Sequence, residues 1–180
     1  VLTIALLGIS MALSGQTDQA LTPVQPFAGG GGGRTLIVVV SDLHMGADLA
    51  WSELNRNLKP LEAFLQQIRS SPNVRELVIA GDLVDEWFVP ADVNTYDGKD
   101  QRDFVRRIAL ANQGVVDAFN AIIREGNIRV TYVPGNHDLT LSRENIEWLL
   151  PGVNQARDEG IGLGTYSPAD MPQLAVEHGH

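Results

Sequence analysis

The stretch VTYVPGNHDLT, residues 130–140, begins as a hydrophobic strand and ends in residues that commonly bind ligands. Its β-branched and aromatic residues predict a buried strand, and Gly-Asn-His-Asp follows directly. A tight turn accounts for the glycine and the asparagine. A turn does not account for a histidine and an aspartate in the next two positions. The stretch therefore indicates a functional loop at the C-terminal end of a strand.

The same order, a buried strand followed by polar residues, occurs at three other places. Predicted strands at 35–41 and 76–80 lead into SDLHMG and GDLVDEW, and one at 173–177 leads into EHGH. In open parallel sheets, the C-terminal ends of the strands face one crevice. The four histidines of the chain all lie in these clusters. We therefore expect the clusters to converge on a single site.

Helical patterns lie between these strands. Apolar residues from Leu54 to Ile68 recur at three- and four-residue spacing, which predicts an amphipathic helix ended by residues 71–73. Apolar residues from Val105 to Ile122 predict one long helix, preceded by a polar loop at 92–103. Ser142 is placed to cap a short helix that runs through residue 150. This alternation of strands and helices predicts an α/β fold with right-handed crossovers.

Composition restricts the class of protein. The 180 residues, 44% of them hydrophobic, suffice for one domain with a core of its own. The net charge of −9 argues against a broad nucleic-acid-binding surface. The chain has no cysteine, which excludes disulfides, thiolate metal ligands and cysteine nucleophiles.

The N-terminal residues differ in character from the rest of the chain. The apolar stretch LTIALLGISMALSG, residues 2–15, predicts a signal peptide over residues 1–20, and hence export to the periplasm or the extracellular space. A buried N-terminal strand or helix is the alternative. The stretch is too short to span a bilayer, so no transmembrane helix is expected in the mature chain. The prolines and glycines of residues 21–34 predict a flexible linker, which places the folded domain at 35–180.

The polar clusters contain the ligand types of a transition-metal site. Carboxylate, amide oxygen and imidazole together suit Mn, Fe, Co or Zn. Asp82 lies on the middle cluster and is the natural bridge between two ions spaced about 3.5–4 Å apart. Asp42 and His44 would hold one ion, and Asn136 and His178 would hold the other. Water bound to such ions can ionise with a pKa of about 7, which supplies a hydroxide nucleophile at neutral pH.

With these motifs in place, the chain resembles the calcineurin-like metallophosphoesterases. The resemblance covers residues 35–180 and rests on Asp-x-His, Gly-Asp-x-x-Asp, Gly-Asn-His-Asp and a later histidine, in that order. It implies an α/β/β/α sandwich, of which this chain would cover mainly the first half. It also implies five metal ligands, with the second aspartate motif bridging: Asp42, His44, Asp82, Asn136 and His178.

The resemblance further implies roles for residues around the ligands. His137 would contact the phosphate and protonate the leaving oxygen, with Asp138 orienting it. Asp85 would fix the loop that carries Asp82. Stabilisation of a turn or a cap is the alternative role for Asp85 and for Asp138. His180 either lines the site or lies outside it.

One motif of the family, the final Gly-His-x-His, does not occur in residues 1–180. We expect the sequence to be part of a longer protein; the alternative is an incomplete metal centre. The resemblance implies hydrolysis of a phosphomonoester, phosphodiester or pyrophosphate by metal-activated hydroxide. A non-catalytic metal-binding or interaction module of the same fold is the competing hypothesis.

The substrate is indicated only faintly. The stretch GDLVDEWFVP, residues 81–90, is similar to the branch of the family related to UDP-2,3-diacylglucosamine pyrophosphatases. Trp87 and Phe88 either line a substrate pocket or belong to the core. The polar loop at 92–103 is either a specificity element or an ordinary solvated loop.

Overall fold

The computed structural model describes residues 5–6, 27, 33–86, 92, 94, 96–97, 99–158 and 163–179. The strands within these residues are β1 Ala5–Leu6, β2 Leu36–Val40, β3 Val74–Ala80, β4 Arg129–Val133, β5 Asn154–Gln155, β6 Thr165–Tyr166 and β7 Val176–Glu177. The helices are α1 Leu58–Ser70, α2 Gln101–Ala111, α3 Gln113–Glu125 and α4 Arg143–Leu149, with a 3-10 helix at Glu53–Asn57 before α1.

The first five strands form one parallel sheet in the order β1-β2-β3-β4-β5. In its centre, Val39 of β2 pairs with Val78 of β3, which pairs with Thr131 of β4. Spatial order equals chain order, so every crossover moves in the same direction. Right-handed crossovers of this kind place their connecting helices on one face of the sheet. The predicted α/β class is confirmed.

Two hydrophobic cores cover the two faces of this sheet. On the helix side, alternate strand residues such as Val38, Leu77 and Tyr132 pack with Leu65 of α1 and Phe119 of α3. On the other side, the intervening strand residues pack beneath the second, smaller sheet; this core comprises Ile37, Val78, Ala80, Val133, Tyr166 and Val176. Burial on both faces explains why β2 and residues 77–80 of β3 are continuously apolar rather than alternating.

The smaller sheet is an antiparallel pair of β6 and β7. The buried carboxylate of Glu76 on β3 accepts hydrogen bonds from Thr131 Oγ1 (2.8 Å) and Tyr166 Oη (2.6 Å), which fastens β6 to the main sheet. The strand predicted at 173–177 is shorter than expected and does not join the parallel sheet. A turn in which Leu174 N–H donates to the carbonyl of Met171 delays its start.

The single long helix predicted between Val105 and Ile122 is two helices, α2 and α3, which meet at Asn112. The Asn112 side chain donates to the carbonyl of Ile108 (2.8 Å) and to that of Gly46 (2.9 Å). Asparagine side chains that bond to nearby carbonyls compete with helix continuation, and here the bond to Gly46 adds a tertiary anchor. The other predicted helices occur as expected, and Ser142 Oγ accepts from the N–H of Asn145 at the start of α4.

Several predictions fall on residues that the structure does not describe. These include most of the segments 1–20 and 21–34, together with Trp87, Phe88 and His180. Within the first segment Ala5–Leu6 pairs in parallel with β2, and within the second Phe27 packs against Phe64. The signal peptide, the linker and their boundaries stay predictions. Among the described helices, none combines the length and the apolar character needed to cross a lipid bilayer.

Candidate metal centre

The loops that follow β2 and β3 run side by side beyond the ends of the strands. Asp42 N–H donates to the carbonyl of Gly81 (3.2 Å), and His44 N–H donates to that of Asp82 (2.9 Å). The parallel pairing of the two strands therefore continues into the polar clusters. This continuation brings the Asp-x-His and Gly-Asp motifs to the same point at the C-terminal edge of the sheet.

The backbone is strained at the residues that carry these motifs. Asp42, His44 and Asp82 have φ angles of 58°, 46° and 51°, in the left-handed region that disfavours side chains with a Cβ. Each such residue costs on the order of 1–3 kcal/mol, and residues of this kind concentrate at functional sites. The hydrogen bonds between the two loops hold these residues in place. Among the described residues, three of the four non-glycine residues with positive φ therefore belong to the motifs; the fourth is Asp97.

Asp82 lies at the centre of the cluster and is only 2% exposed. Its Oδ2 atom is 3.6 Å from His44 Nε2 and 3.4 Å from His178 Nε2. Its Oδ1 atom accepts a hydrogen bond from the backbone N–H of His137 (2.9 Å). One buried carboxylate thus faces imidazoles that come from two different parts of the chain.

Potential metal ligands form two groups that share Asp82. His44, Asp82 and His137 make one group, and Asp42, Asp82 and His178 make the other. Within each group, the ligand atoms lie within 4.8 Å of one another. The sequence motifs predict that Asp42 and His44 hold the same ion. In the structure these two residues fall into different groups, although His44 Nε2 is also 3.9 Å from Asp42 Oδ1.

The contacts of His178 are compatible with a cation site. Nδ1 of His178 lies 2.9 Å from the carbonyl oxygen of Ala80, which only an N–H can satisfy, and a neutral imidazole with that N–H has its lone pair on Nε2. Nε2 in turn lies 3.0 Å from Oδ1 of Asn136, close to the Asp82 carboxylate. With the neutral imidazole, three electron-pair donors face one another. A divalent cation is the partner that such a set of carboxylate, amide and imidazole atoms fits.

Asp85 and Asp138 each make the contact that was predicted for the other. Asp85 Oδ1, and not Asp138, lies 3.0 Å from His137 Nδ1. Asp138 is fully buried and accepts from the backbone N–H groups of Leu83 and Gly135, both at 2.7 Å. It therefore holds the loop after β3 against the loop after β4. Burial raises the pKa of Asp138, and the hydrogen bonds from the two amides oppose that rise.

The glycines of the motifs allow the loops to approach this closely. A Cβ atom at Gly135 would overlap Oδ1 and the backbone nitrogen of Asp82. At Gly81, where φ is +86°, a Cβ atom would lie 2.5 Å from the ring of His178. Each glycine therefore leaves room for a residue that a different motif contributes.

Comparison with known proteins identifies the family. Residues 35–179 match the model of the calcineurin-like phosphoesterases. The chain belongs to the calcineurin-like phosphoesterase family. Among solved structures, the nuclease MPE of Pseudomonas putida has 18% sequence identity to it and a TM-score of 0.38. That match covers 68% of this chain and 48% of the nuclease chain, so the chain spans about half of the nuclease's length. No curated protein matches the chain.

A groove of about 780 Å³ borders the candidate metal centre on the side of His178. Its polar lining includes Gln155, Arg157, Asp158 and Thr165. These four residues come from β5, the segment after it and β6, and none belongs to a motif that the sequence analysis singled out. Only the packing of the smaller sheet places them beside His178.

Proposed function

We propose that the protein hydrolyses a phosphomonoester, a phosphodiester or a pyrophosphate at a centre of two divalent metal ions. The observation that carries the proposal is the position of Asp82, whose buried carboxylate belongs to both ligand groups. A carboxylate shared in this way is the usual bridge of two-metal phosphoesterases.

The donor set suits Mn, Fe, Zn or Co, and the residues that would hold the ions are Asp42, His44, Asp82, Asn136 and His178. When bound, the ions would supply Lewis acidity toward the phosphoryl oxygens and lower the pKa of water to about 7. The protein's own part is to keep five ligands together at the ends of its strands, with Asp82 shielded from solvent.

His137, which lies in the group with His44 and Asp82, is proposed to act on the leaving group and not to bind an ion. The Asp85 carboxylate would accept a hydrogen bond from Nδ1–H, which orients a protonated imidazole to give its Nε2 proton to the departing oxygen. The proton passes from Nε2 to that oxygen as the bond between phosphorus and oxygen breaks, and it is regained from water. The His137 ring stands edge-on to the His44 ring, with the ring centres 4.5 Å apart, which places it beside the proposed ligands.

Turnover of 4-nitrophenyl phosphate and of bis(4-nitrophenyl) phosphate in the presence of Mn²⁺ tests the proposal. Asp82→Asn and His137→Ala should each lower turnover by about 100-fold or more, in line with the size of general acid catalysis and of metal activation. Asp117→Asn, on the exposed face of α3, is the matched control and should equal the parent.

The outcomes separate the competing functions. Variants that retain parental turnover would show that the residue assignments are wrong. Stoichiometric Mn²⁺ binding without turnover of either ester would indicate the non-catalytic metal-binding module instead.

A further inference from the structure

Glu86 is a buried carboxylate that no step of the proposed mechanism uses. It follows Asp85 directly and is 8% exposed. Its Oε1 atom accepts hydrogen bonds from Tyr96 Oη (2.6 Å) and Gln101 Nε2 (2.9 Å), and its Oε2 atom accepts from Thr140 Oγ1. A buried carboxylate is costly unless donors surround it, and three side chains supply them here.

These donors come from separate parts of the chain. Tyr96 lies in the segment before α2, Gln101 is the first residue of α2, and Thr140 is three residues after His137. Gln101 Nε2 also donates to the carbonyl of Thr140 (3.2 Å). The Glu86 carboxylate therefore ties the segment that follows His137 to the start of α2.

Glu86 also contacts His137 through its backbone. Its N–H donates to the carbonyl of His137 (3.2 Å), while the neighbouring Asp85 holds the imidazole at Nδ1. Two adjacent residues thus hold both the main chain and the ring of His137. The link through Thr140 holds the next turn of the same loop.

We propose that Glu86 is a positioning residue for His137, one that fixes where Nε2 points without touching the substrate. The inference rests on the proposed function, because it assigns His137 the transfer of a proton to the leaving oxygen. Proton transfer requires the two heavy atoms to lie about 2.6–3.2 Å apart. A loop displacement of about 1 Å can therefore cost on the order of 100-fold in rate.

A purely structural role for Glu86 makes a different prediction. Loss of stability lowers the fraction of folded protein and reduces turnover of every substrate by the same factor. Loss of proton donation reduces turnover only where the leaving group needs a proton. Phenolate needs one much more than 4-nitrophenolate does, so the ratio of the two rates distinguishes the roles.

The test uses the complete chain loaded with Mn²⁺ and compares phenyl phosphate with 4-nitrophenyl phosphate. Glu86→Gln and Thr140→Val should each lower kcat for the phenyl ester by about tenfold and that for the nitrophenyl ester by about twofold or less, since only the former depends on the acid. KM and the number of bound Mn²⁺ ions should not change. Thr140→Val removes one hydroxyl at an exposed residue and keeps the inference testable if Glu86→Gln fails to fold.

Two matched controls lie away from the site. Glu125→Gln removes an exposed carboxylate at the end of α3, and Thr35→Val removes a hydroxyl just before β2, at the opposite end of that strand from Asp42. Both should leave the ratio of the two rates at its parental value.

Combination with His137→Ala gives a second readout. If Glu86 acts through His137, Glu86→Gln should lower phenyl ester turnover no further once His137 has been replaced. Equal losses on both esters, or a full additional loss in the double variant, would overturn the inference while leaving the proposed function intact. A parent protein that turns over neither ester would overturn both.

Discussion

Nδ1 of His137 lies 3.0 Å from Oδ1 of Asp85, whereas Asp138, its neighbour in sequence, turns away and binds backbone amides. The carboxylate that orients the histidine therefore comes from the loop after β3, and the histidine comes from the loop after β4. In the other direction, Asp138 of the loop after β4 accepts a hydrogen bond from the N–H of Leu83 in the loop after β3. Each loop is thus positioned by a residue of the other.

This arrangement predicts that one of two similar substitutions lowers stability and the other lowers turnover. Asp138→Asn turns an NH₂ group toward the N–H of Leu83 or of Gly135 inside the protein, and should lower the free energy of unfolding by about 1–3 kcal/mol. Asp85→Asn removes the carboxylate at His137 from a partly exposed position. The free energy of unfolding should stay within about 0.5 kcal/mol of the parent's, and turnover of phenyl phosphate should fall by at least about tenfold. Urea unfolding and steady-state kinetics on both variants measure the two effects. An Asp138→Asn protein as stable as the parent would contradict the role of Asp138 in joining the two loops.

The shared position of Asp82 predicts unequal losses of metal. Asp82→Asn should weaken binding of both ions, because both ligand groups include it. His178→Gln should weaken the binding of one ion only, since His178 belongs to a single group. Elemental analysis after dialysis against Mn²⁺, with Asp117→Asn as the control, counts the ions retained. Full occupancy in Asp82→Asn would rule out a bridging carboxylate.

The close approach at Gly135 predicts a large effect of a single methyl group. Gly135→Ala forces the loop away from Asp82, which should destabilise the protein by about 1–3 kcal/mol and weaken Mn²⁺ binding as well. At Gly179 a Cβ atom meets nothing within 4 Å, so Gly179→Ala is the matched control. Thermal unfolding with and without Mn²⁺ compares the two variants, and similar melting temperatures would contradict the close contact between Gly135 and Asp82.

The contact between Tyr166 and Glu76 predicts a purely structural effect. Tyr166→Phe removes one of two donors from a buried carboxylate and should lower the free energy of unfolding by about 1–3 kcal/mol. Kinetic parameters per folded molecule should not change, because this contact lies under the smaller sheet. Thr165→Val, at the exposed neighbouring position of β6, serves as the control. Urea denaturation of the two variants measures the difference, and equal stability would show that Glu76 does not need the tyrosine.

Patterns in the sequence predicted the elements whose residues decide their own structure. The apolar runs of β2, β3 and β4 need only burial on both faces, and Ser142 caps α4 through a bond to a residue three positions on. The sequence patterns did not predict the break between α2 and α3 at Asn112. One of the two hydrogen bonds of the Asn112 side chain goes to the carbonyl of Gly46, which is 66 residues away in the chain. Glycine at 114, unusual inside a helix, was a local sign of the break.

Motif spacing likewise indicated which side chains gather at the site but not which of them touch. Glu86 follows directly after a motif residue, yet no sequence pattern shows that Tyr96, Gln101 and Thr140 meet it. No sequence pattern indicated most of the residues that line the groove beside His178 either. Its residues become neighbours only when the smaller sheet packs on the larger one.

Sequence patterns were sufficient to predict the family, the parallel α/β architecture and the set of polar residues at the strand ends. Those features follow from hydrophobic periodicity and from residue types at short spacing, which are local properties of the chain. The placement of Asp85, and not Asp138, beside His137 and the grouping of the potential ligands around Asp82 depend on long-range packing. Such choices depend on which loops pack against each other, because a side chain's partner is selected by distance in space and not by position along the chain.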